Sequence, residues 1–188
     1  RTRFVRLEEL VRLAAAVLPG LVPTQNEVAA EAALDQRYKD GVEIDQGLFV
    51  SRVLADERAG LHLCHAMLLP RADSAEAGAR LAVDGAVDLG AVRLELHGRA
   101  IHLTAVNPRF LNAEDDTTLD AMEIATDVAT LHPESDIIVL RGGTVEHPKY
   151  RNRRIFGAGI NLTHLYRGAI PYLWFPRREL GYVHKIFR

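Results

Sequence analysis

The stretch Val92-Arg93-Leu94-Glu95-Leu96-His97-Gly98-Arg99-Ala100-Ile101-His102-Leu103-Thr104-Ala105-Val106 decides how the rest of the chain must fold. Apolar Val92, Leu94 and Leu96 alternate with Arg93, Glu95 and His97. That period of two puts one side of a strand in a core and the other outside it. His97-Gly98 supplies a turn, since glycine accepts backbone angles closed to other residues. Residues 100–106 return as the second strand, and Asn107-Pro108 closes it. The reading is an antiparallel hairpin.

Toward the C-terminus a helix is expected over residues 115–131, with Leu119, Met122, Ile124 and Val128 facing inward. Its first turn carries acids, where the helix dipole favours them, and His132-Pro133 stops it. Ile137-Ile138-Val139-Leu140 is wholly apolar and bounded by Gly142-Gly143, which predicts a short strand covered on both faces. Toward the N-terminus the chain is alanine-rich and helical. Phe4, Leu7, Leu10, Val11 and Leu18 share a face that Pro19-Gly20 terminates, and Thr24 with Glu27 has the spacing of a capping box. Residues 48–63 read as one apolar-periodic segment ending before Pro70, and residues 75–89 as a further helix. The expected class is α/β: a helical N-terminal extension over 1–90, then a ββα core over 91–188.

The chain has 188 residues, 48% of them hydrophobic and 26% charged, so it is globular rather than disordered. Lys and Arg number 23 and Asp and Glu 25. That balance argues against a general nucleic-acid binder, which needs a basic excess. The single cysteine, Cys64, excludes an internal disulfide framework and a multi-cysteine zinc site, and suggests a reducing, cytoplasmic compartment. The most apolar stretch, 13–22, is interrupted by Pro19-Gly20 and falls short of the ~20 residues that cross a bilayer, so no membrane association is expected. Glu8 and Glu9 sit where a signal peptide carries positive charge. Arg1 in place of Met, and an amphipathic pattern still running at Arg188, suggest a piece of a longer polypeptide.

Four places offer chemistry. In Gly157-Ala158-Gly159-Ile160-Asn161, small residues let the backbone turn tightly before Leu162-Thr163-His164. The stretch reads either as a turn packed by glycine or as backbone N–H groups presented to an oxyanion. Glu114 lies between the return strand and the next helix, where a carboxylate can act as a base or accept a substrate hydroxyl, or simply be a helix-end acid beside Asp115 and Asp116. The run His147-Pro148-Lys149-Tyr150-Arg151-Asn152-Arg153-Arg154 suits a phosphate-bearing ligand, or is a solvated loop. Arg178 shares a helix side with Tyr182, or pairs with Glu179 at the surface. His62 and His65 flank Cys64 without the partners a metal site needs and read as interior or interface residues.

The string from Arg153 through Gly157-Ala158-Gly159-Ile160 to Leu162, followed by Arg177-Arg178-Glu179-Leu180-Gly181-Tyr182-Val183-His184-Lys185, resembles the crotonase (enoyl-CoA hydratase/isomerase) superfamily. Within it, the chain is most similar to the cofactor-independent dioxygenases that act on dihydroxyphenylacetyl-CoA in antibiotic biosynthesis. The likeness extends to Asp45-Gln46-Gly47, to Leu61-His62-Leu63-Cys64-His65, to Asn112-Ala113-Glu114 and to Arg141-Gly142-Gly143. It implies the N-terminal half of a crotonase ββα spiral core, preceded by a helical extension.

The resemblance also implies roles. The Ile160 N–H is one oxyanion donor for the thioester oxygen, flanked by Gly159 and Asn161 at the CoA-binding surface. Glu114 accepts the substrate's phenolic hydroxyl. Arg178, with Arg177 as the adjacent alternative, orients the ring. Apart from the resemblance, the charge of the run makes Lys149, Arg151, Arg153 and Arg154 the expected contacts for the CoA phosphates, and Leu165, Tyr172 and Trp174 are expected to offer an apolar lining for O2. The implied chemistry forms an α-peroxide, collapses it onto the thioester carbonyl and releases CoA and an arylglyoxylate, with CoA as part of the substrate and no metal or flavin. A second oxyanion donor and further pocket residues are expected in the remaining portion of the polypeptide, and a homo-oligomer (trimer or hexamer) is expected as in the superfamily. The alternatives are an ordinary crotonase hydratase, isomerase or thioesterase on an aryl-CoA, or a non-catalytic assembly module.

Overall fold

The computed structural model describes residues 3–187, so Arg1, Thr2 and Arg188 lie outside it. Two compact units emerge: the chain up to Leu69 together with Leu162–His184, and Pro70–Asn161 together with the residues from Lys185 on.

The first unit is helical: α1 (Leu7–Val17), α2 (Gln25–Ala32), α3 (Glu43–Ala55) and α4 (Glu57–Leu68), then α7 (Leu162–Tyr166) and α8 (Trp174–Arg178). Thr24 and Glu27 form the expected reciprocal capping box on α2. The segment read as a single helix over 48–63 is two helices. Asp56 breaks it, leaving the helical region and accepting the Ala59 N–H at 2.8 Å to cap α4. Leu7, Val11, Val22, Val50, Leu63 and Met67 form the core of this unit. His62 and His65 stack on Phe4, with ring centroids 5.1 and 4.5 Å away.

The return of Leu162–His184 to these helices is held by buried polar groups. Lys39 Nζ donates to the Gly168 carbonyl at 2.7 Å, and Glu43 accepts the Tyr172 N–H at 2.9 Å. Gly47 of α3 has no side chain, and a Cβ there would run into the Tyr172 ring. Pro176 sits in the first turn of α8, where its missing N–H has no helical partner to lose.

The second unit carries the sheet: α5 (Ser74–Asp84), β1 (Ala86–Asp88), β2 (Val92–His97), β3 (Ala100–Ala105), α6 (Leu119–Leu131) and β4 (Ile137–Gly142). Strand order is β1-β2-β3-β4, antiparallel except for the parallel β3–β4 pair that α6 connects. The hairpin registers Val92 against Ala105 and His97 against Ala100, with Gly98 at φ 60° in the turn. Val92, Leu94, Ile101 and Leu103 are fully buried, as are Leu81 of α5 and Ala125 of α6, the two helices that pack on this sheet. Burying each large apolar side chain is worth about 1.5–3 kcal/mol.

Three expectations change here. The helix read over 75–89 ends at Gly85, whose φ of 70° closes it, and the chain continues as the edge strand β1. α6 starts at Leu119 rather than Asp115, because Asp115 to Thr118 form a separate turn. β4 is not covered on both faces among the described residues: Ile137 is 57% and Ile138 40% exposed, at the edge of the sheet.

Lys185 docks on α6 between Glu123 (2.8 Å) and Asp127 (2.6 Å), all three buried. Asp127 also accepts from the Ser74 hydroxyl and the Arg71 N–H, each at 2.8 Å. Buried carboxylates persist only when satisfied in this way.

Two glycines of this unit give opposite expectations. At Gly142 a Cβ would overlap the Ile155 carbonyl, whereas at Gly78 in α5 it meets nothing within 4 Å. Urea titration should show Gly142→Ala destabilised by about 1–3 kcal/mol through overpacking, and Gly78→Ala stabilised by about 0.5–1 kcal/mol through helix propensity.

Candidate active site

The end of β4 organises the neighbourhood. After Gly142-Gly143 the chain makes an excursion in which Thr144 bridges Arg154 and the Val145 N–H bonds the Arg153 carbonyl at 3.1 Å. The basic run forms the tip of this excursion, with Asn152 at φ 63°. The chain then passes beside the segment that joins β3 to α6. Leu111 and Asn112 there both have φ of 56°, a left-handed pair that turns the Asn112 side chain inward. Its amide nitrogen donates to the Gly143 and Ile155 carbonyls, each at 2.8 Å, and its oxygen accepts the Asn107 N–H at 2.8 Å. One buried side chain thus joins three stretches of backbone.

The structure brings Glu114 and Ile160 together as partners in an isolated parallel β-bridge. The Glu114 N–H donates to the Gly159 carbonyl and its carbonyl accepts the Asn161 N–H, both at 2.8 Å. In a parallel bridge the flanking residues make the hydrogen bonds, and the central residue's own groups point the other way. The Ile160 N–H accordingly has no hydrogen-bond partner among the described residues. Gly159, at φ 82°, makes the preceding turn possible.

Beside the bridge lies a buried polar cluster that the sequence reading passed over. Asp115 is 1% exposed. It accepts from the Thr117 N–H (3.0 Å), the Thr117 hydroxyl (2.6 Å), the Asn107 amide (2.9 Å) and the Asn161 amide (2.9 Å). Burial pushes this carboxyl's pKa up, but the bonds from Thr117, Asn161 and Asn107 outweigh burial and hold it below the ordinary value. In the sequence Asp115 looked like a first-turn helix acid. The available signal was the recurrence of Asn and Asp at loop positions 107, 112, 115 and 161, since these side chains bridge irregular backbone.

The cationic residues divide. Arg151 and Arg154 line a cavity of about 880 Å³, with Arg93, Arg141, Glu95 and Glu146 among its other walls. Arg141 is engaged there by Glu95 at 2.9 Å and Thr104 at 2.8 Å. Lys149 and Arg153 are exposed and lie outside that cavity, Lys149 with its ammonium 5.2 Å from the Tyr150 ring centre. Burial, then Arg141 and His97, keep nearby His102 below the ordinary histidine range, with a smaller push from Arg154.

Arg178 belongs to the helical unit. Its guanidinium meets Glu179 at 2.6 Å and lies 5.4 Å from the Tyr182 ring centre. Arg177 pairs with Glu8 of α1 at 2.7 Å. In the same unit Trp174 borders an apolar cavity of about 600 Å³ with Val11, Val28 and Leu173, and Leu165 and Tyr172 do not line it. Glu114 and Ile160 border neither this cavity nor the arginine-lined one.

A hairpin, a crossover helix and a parallel strand leading into a glycine turn form the mixed α/β arrangement that the resemblance to the crotonase superfamily leads one to expect. No family model matches the chain. Among known proteins it is similar to the (3,5-dihydroxyphenyl)acetyl-CoA 1,2-dioxygenase of Amycolatopsis orientalis, with 48% identity over 189 aligned residues. That match takes in the whole of this chain and 44% of the relative's length.

The lowered pKa of Asp115 fixes a pH dependence. An unfolded aspartate titrates near about 3.9, so the contribution of Asp115 is complete above that pH and is lost as pH falls through the folded value. Urea midpoints of Asp115→Asn against the parent chain should therefore differ at pH 7, and the difference should shrink only as pH falls below about 3.9.

Proposed function

We propose that this chain forms the first part of a dioxygenase that converts (3,5-dihydroxyphenyl)acetyl-CoA and O2 into (3,5-dihydroxyphenyl)glyoxylate and CoA. The observation that carries this reading is the unpartnered Ile160 N–H, fixed against Glu114, in a chain 48% identical to an enzyme named for that substrate.

The thioester's α-proton becomes acidic when the enolate oxygen is met by a preorganised donor. The Ile160 N–H is one such donor, and the aryl ring spreads the remaining charge. Glu114 accepts the hydrogen bond of a phenolic hydroxyl, and Arg178 orients the ring. The carbanion passes one electron to O2, and the two radicals combine as a peroxide at the α-carbon. The distal oxygen attacks the thioester carbonyl and expels the CoA thiolate. Loss of the second α-proton breaks the O–O bond, leaving one oxygen atom in the ketone and the other in the carboxylate. The oxidation takes its electrons from the substrate, so the sequence calls for neither metal nor flavin.

Arg151 and Arg154, with Arg93 and Arg141 in the same cavity, are proposed to hold the CoA phosphates, and Lys149 and Arg153 to add to the field from outside. A homo-oligomer is proposed; a helical unit that serves only oligomer packing belongs to the alternative reading of a non-catalytic assembly module.

The test is oxygen uptake by metal-stripped, full-length protein given the aryl-acetyl-CoA. One O2 consumed per CoA released is expected. Product without oxygen uptake indicates an ordinary crotonase reaction, and failure to bind any acyl-CoA indicates an assembly module. Glu114→Gln and Arg178→Lys should each lower turnover more than tenfold, a loss above about 1.4 kcal/mol of transition-state stabilisation. Wild-type rates would remove either residue from the pocket.

A further inference from the structure

We infer that Asp115 is a positioning residue that sets the direction of the Ile160 N–H, through the carboxylate oxygen that receives both the Asn161 and the Asn107 side-chain amides. The inference rests on the reading of that N–H as an oxyanion donor.

The two segments of the site are joined twice, in adjacent registers. The backbone bridge ties Glu114 to the residues flanking Ile160. One position further on, the Asp115 carboxylate accepts the Asn161 side-chain amide at 2.9 Å. A single isolated bridge leaves the segment free to rotate about its two hydrogen bonds. The second tie, one residue along, removes that rotation and so fixes where the N–H between them points.

The carboxylate is itself anchored to the sheet and to the approach to α6. Its Oδ2, which receives Asn161, also receives the Asn107 amide at 2.9 Å. The same Asn107 nitrogen, two residues beyond the end of β3, donates to the Ala113 carbonyl at 2.8 Å. Its Oδ1 receives both the N–H and the hydroxyl of Thr117. One oxygen therefore faces the chain that leads into α6, and the other faces the turn that presents Ile160. Bonds to an ionised acceptor are shorter and stiffer than neutral ones, and a donor misplaced by about 1 Å can forfeit two orders of magnitude in rate.

An amide of the same shape cannot do this. Asn at position 115 offers one acceptor and one NH2 group, so either the Thr117 donors or the Asn107 and Asn161 donors face another donor. Asn161→Ala removes the tie to the turn and leaves the carboxylate with its bonds from Asn107 and Thr117. Thr117→Val removes one bond to Oδ1 and leaves the turn tied.

The experiment uses full-length protein and two readouts. One is anaerobic exchange of the α-hydrogens of the aryl-acetyl-CoA with D2O, which reports enolate formation. The other is kcat and KM for CoA release in air. A wild-type protein that neither exchanges nor turns over removes the oxyanion reading itself and with it this inference. With an active wild type, Asp115→Asn and Asn161→Ala should each slow exchange and kcat at least about tenfold with KM within about threefold. Thr117→Val should keep exchange within about threefold while lowering the thermal midpoint. Exchange at the wild-type rate in Asn161→Ala, a rise in KM without a fall in kcat, or a loss in Thr117→Val equal to that in Asp115→Asn overturns the inference. Should Asp115→Asn fail to fold, Asn161→Ala decides.

Discussion

Two backbone carbonyls, those of Gly143 and Ile155, converge where the last strand ends, and a single amide nitrogen on Asn112 satisfies both. Both bonds are part-buried, and the Gly143 carbonyl also takes the Ile155 N–H at 3.4 Å, so this joint holds the departing chain close beside the end of the sheet. The other constraints follow from it. Gly142 must lack a side chain because the Ile155 backbone occupies the space. Leu111 and Asn112 must both turn left-handed to deliver the amide. Only then does the segment after Ile155 run alongside Glu114, and only there does the backbone pairing leave the Ile160 N–H unspent.

Much of the fold was legible because local physics agreed with the tertiary outcome. The hairpin has strict alternation and a glycine where the turn falls, and the second helix carries a reciprocal cap. Where the reading failed, a single residue overrode the periodicity. Asp56 divides a continuous apolar pattern because its carboxylate caps α4. Gly85 closes α5 early and leaves three residues to pair with the hairpin. The apolar run at 137–140 looked like an interior strand, yet it lies at the edge of the sheet, a placement that depends on strand order rather than on composition. The candidate site was harder to see. Glu114 and Ile160 are far apart in sequence, and only the family resemblance singled them out together. Asp115 resembled any acid at the head of a helix, and nothing local to it announces that its second oxygen meets a distant asparagine.

Charge tells a similar story. A net of -2 hides a strong segregation. Lys185 is enclosed by Glu123 and Asp127 on α6, while Arg93, Arg141, Arg151 and Arg154 gather around one cavity. The first grouping fastens the chain to the sheet-bearing unit after it has run through the helical one. The second maintains a positive field that a neighbouring histidine registers. Composition averages both away, and the pattern becomes visible only once the strands are laid in register.

The mixed sheet also dictates an order of construction. The hairpin closes within a few residues, so β2 and β3 can pair early, as fast local contacts do. The tie between Asp115 and Asn161 closes a separation of 46 positions and must wait until the crossover helix and the fourth strand are in place. On a ribosome, the nascent sheet would therefore be largely complete before the last glycine turn emerged, and the turn around Ile160 would be among the final parts of this unit to mature.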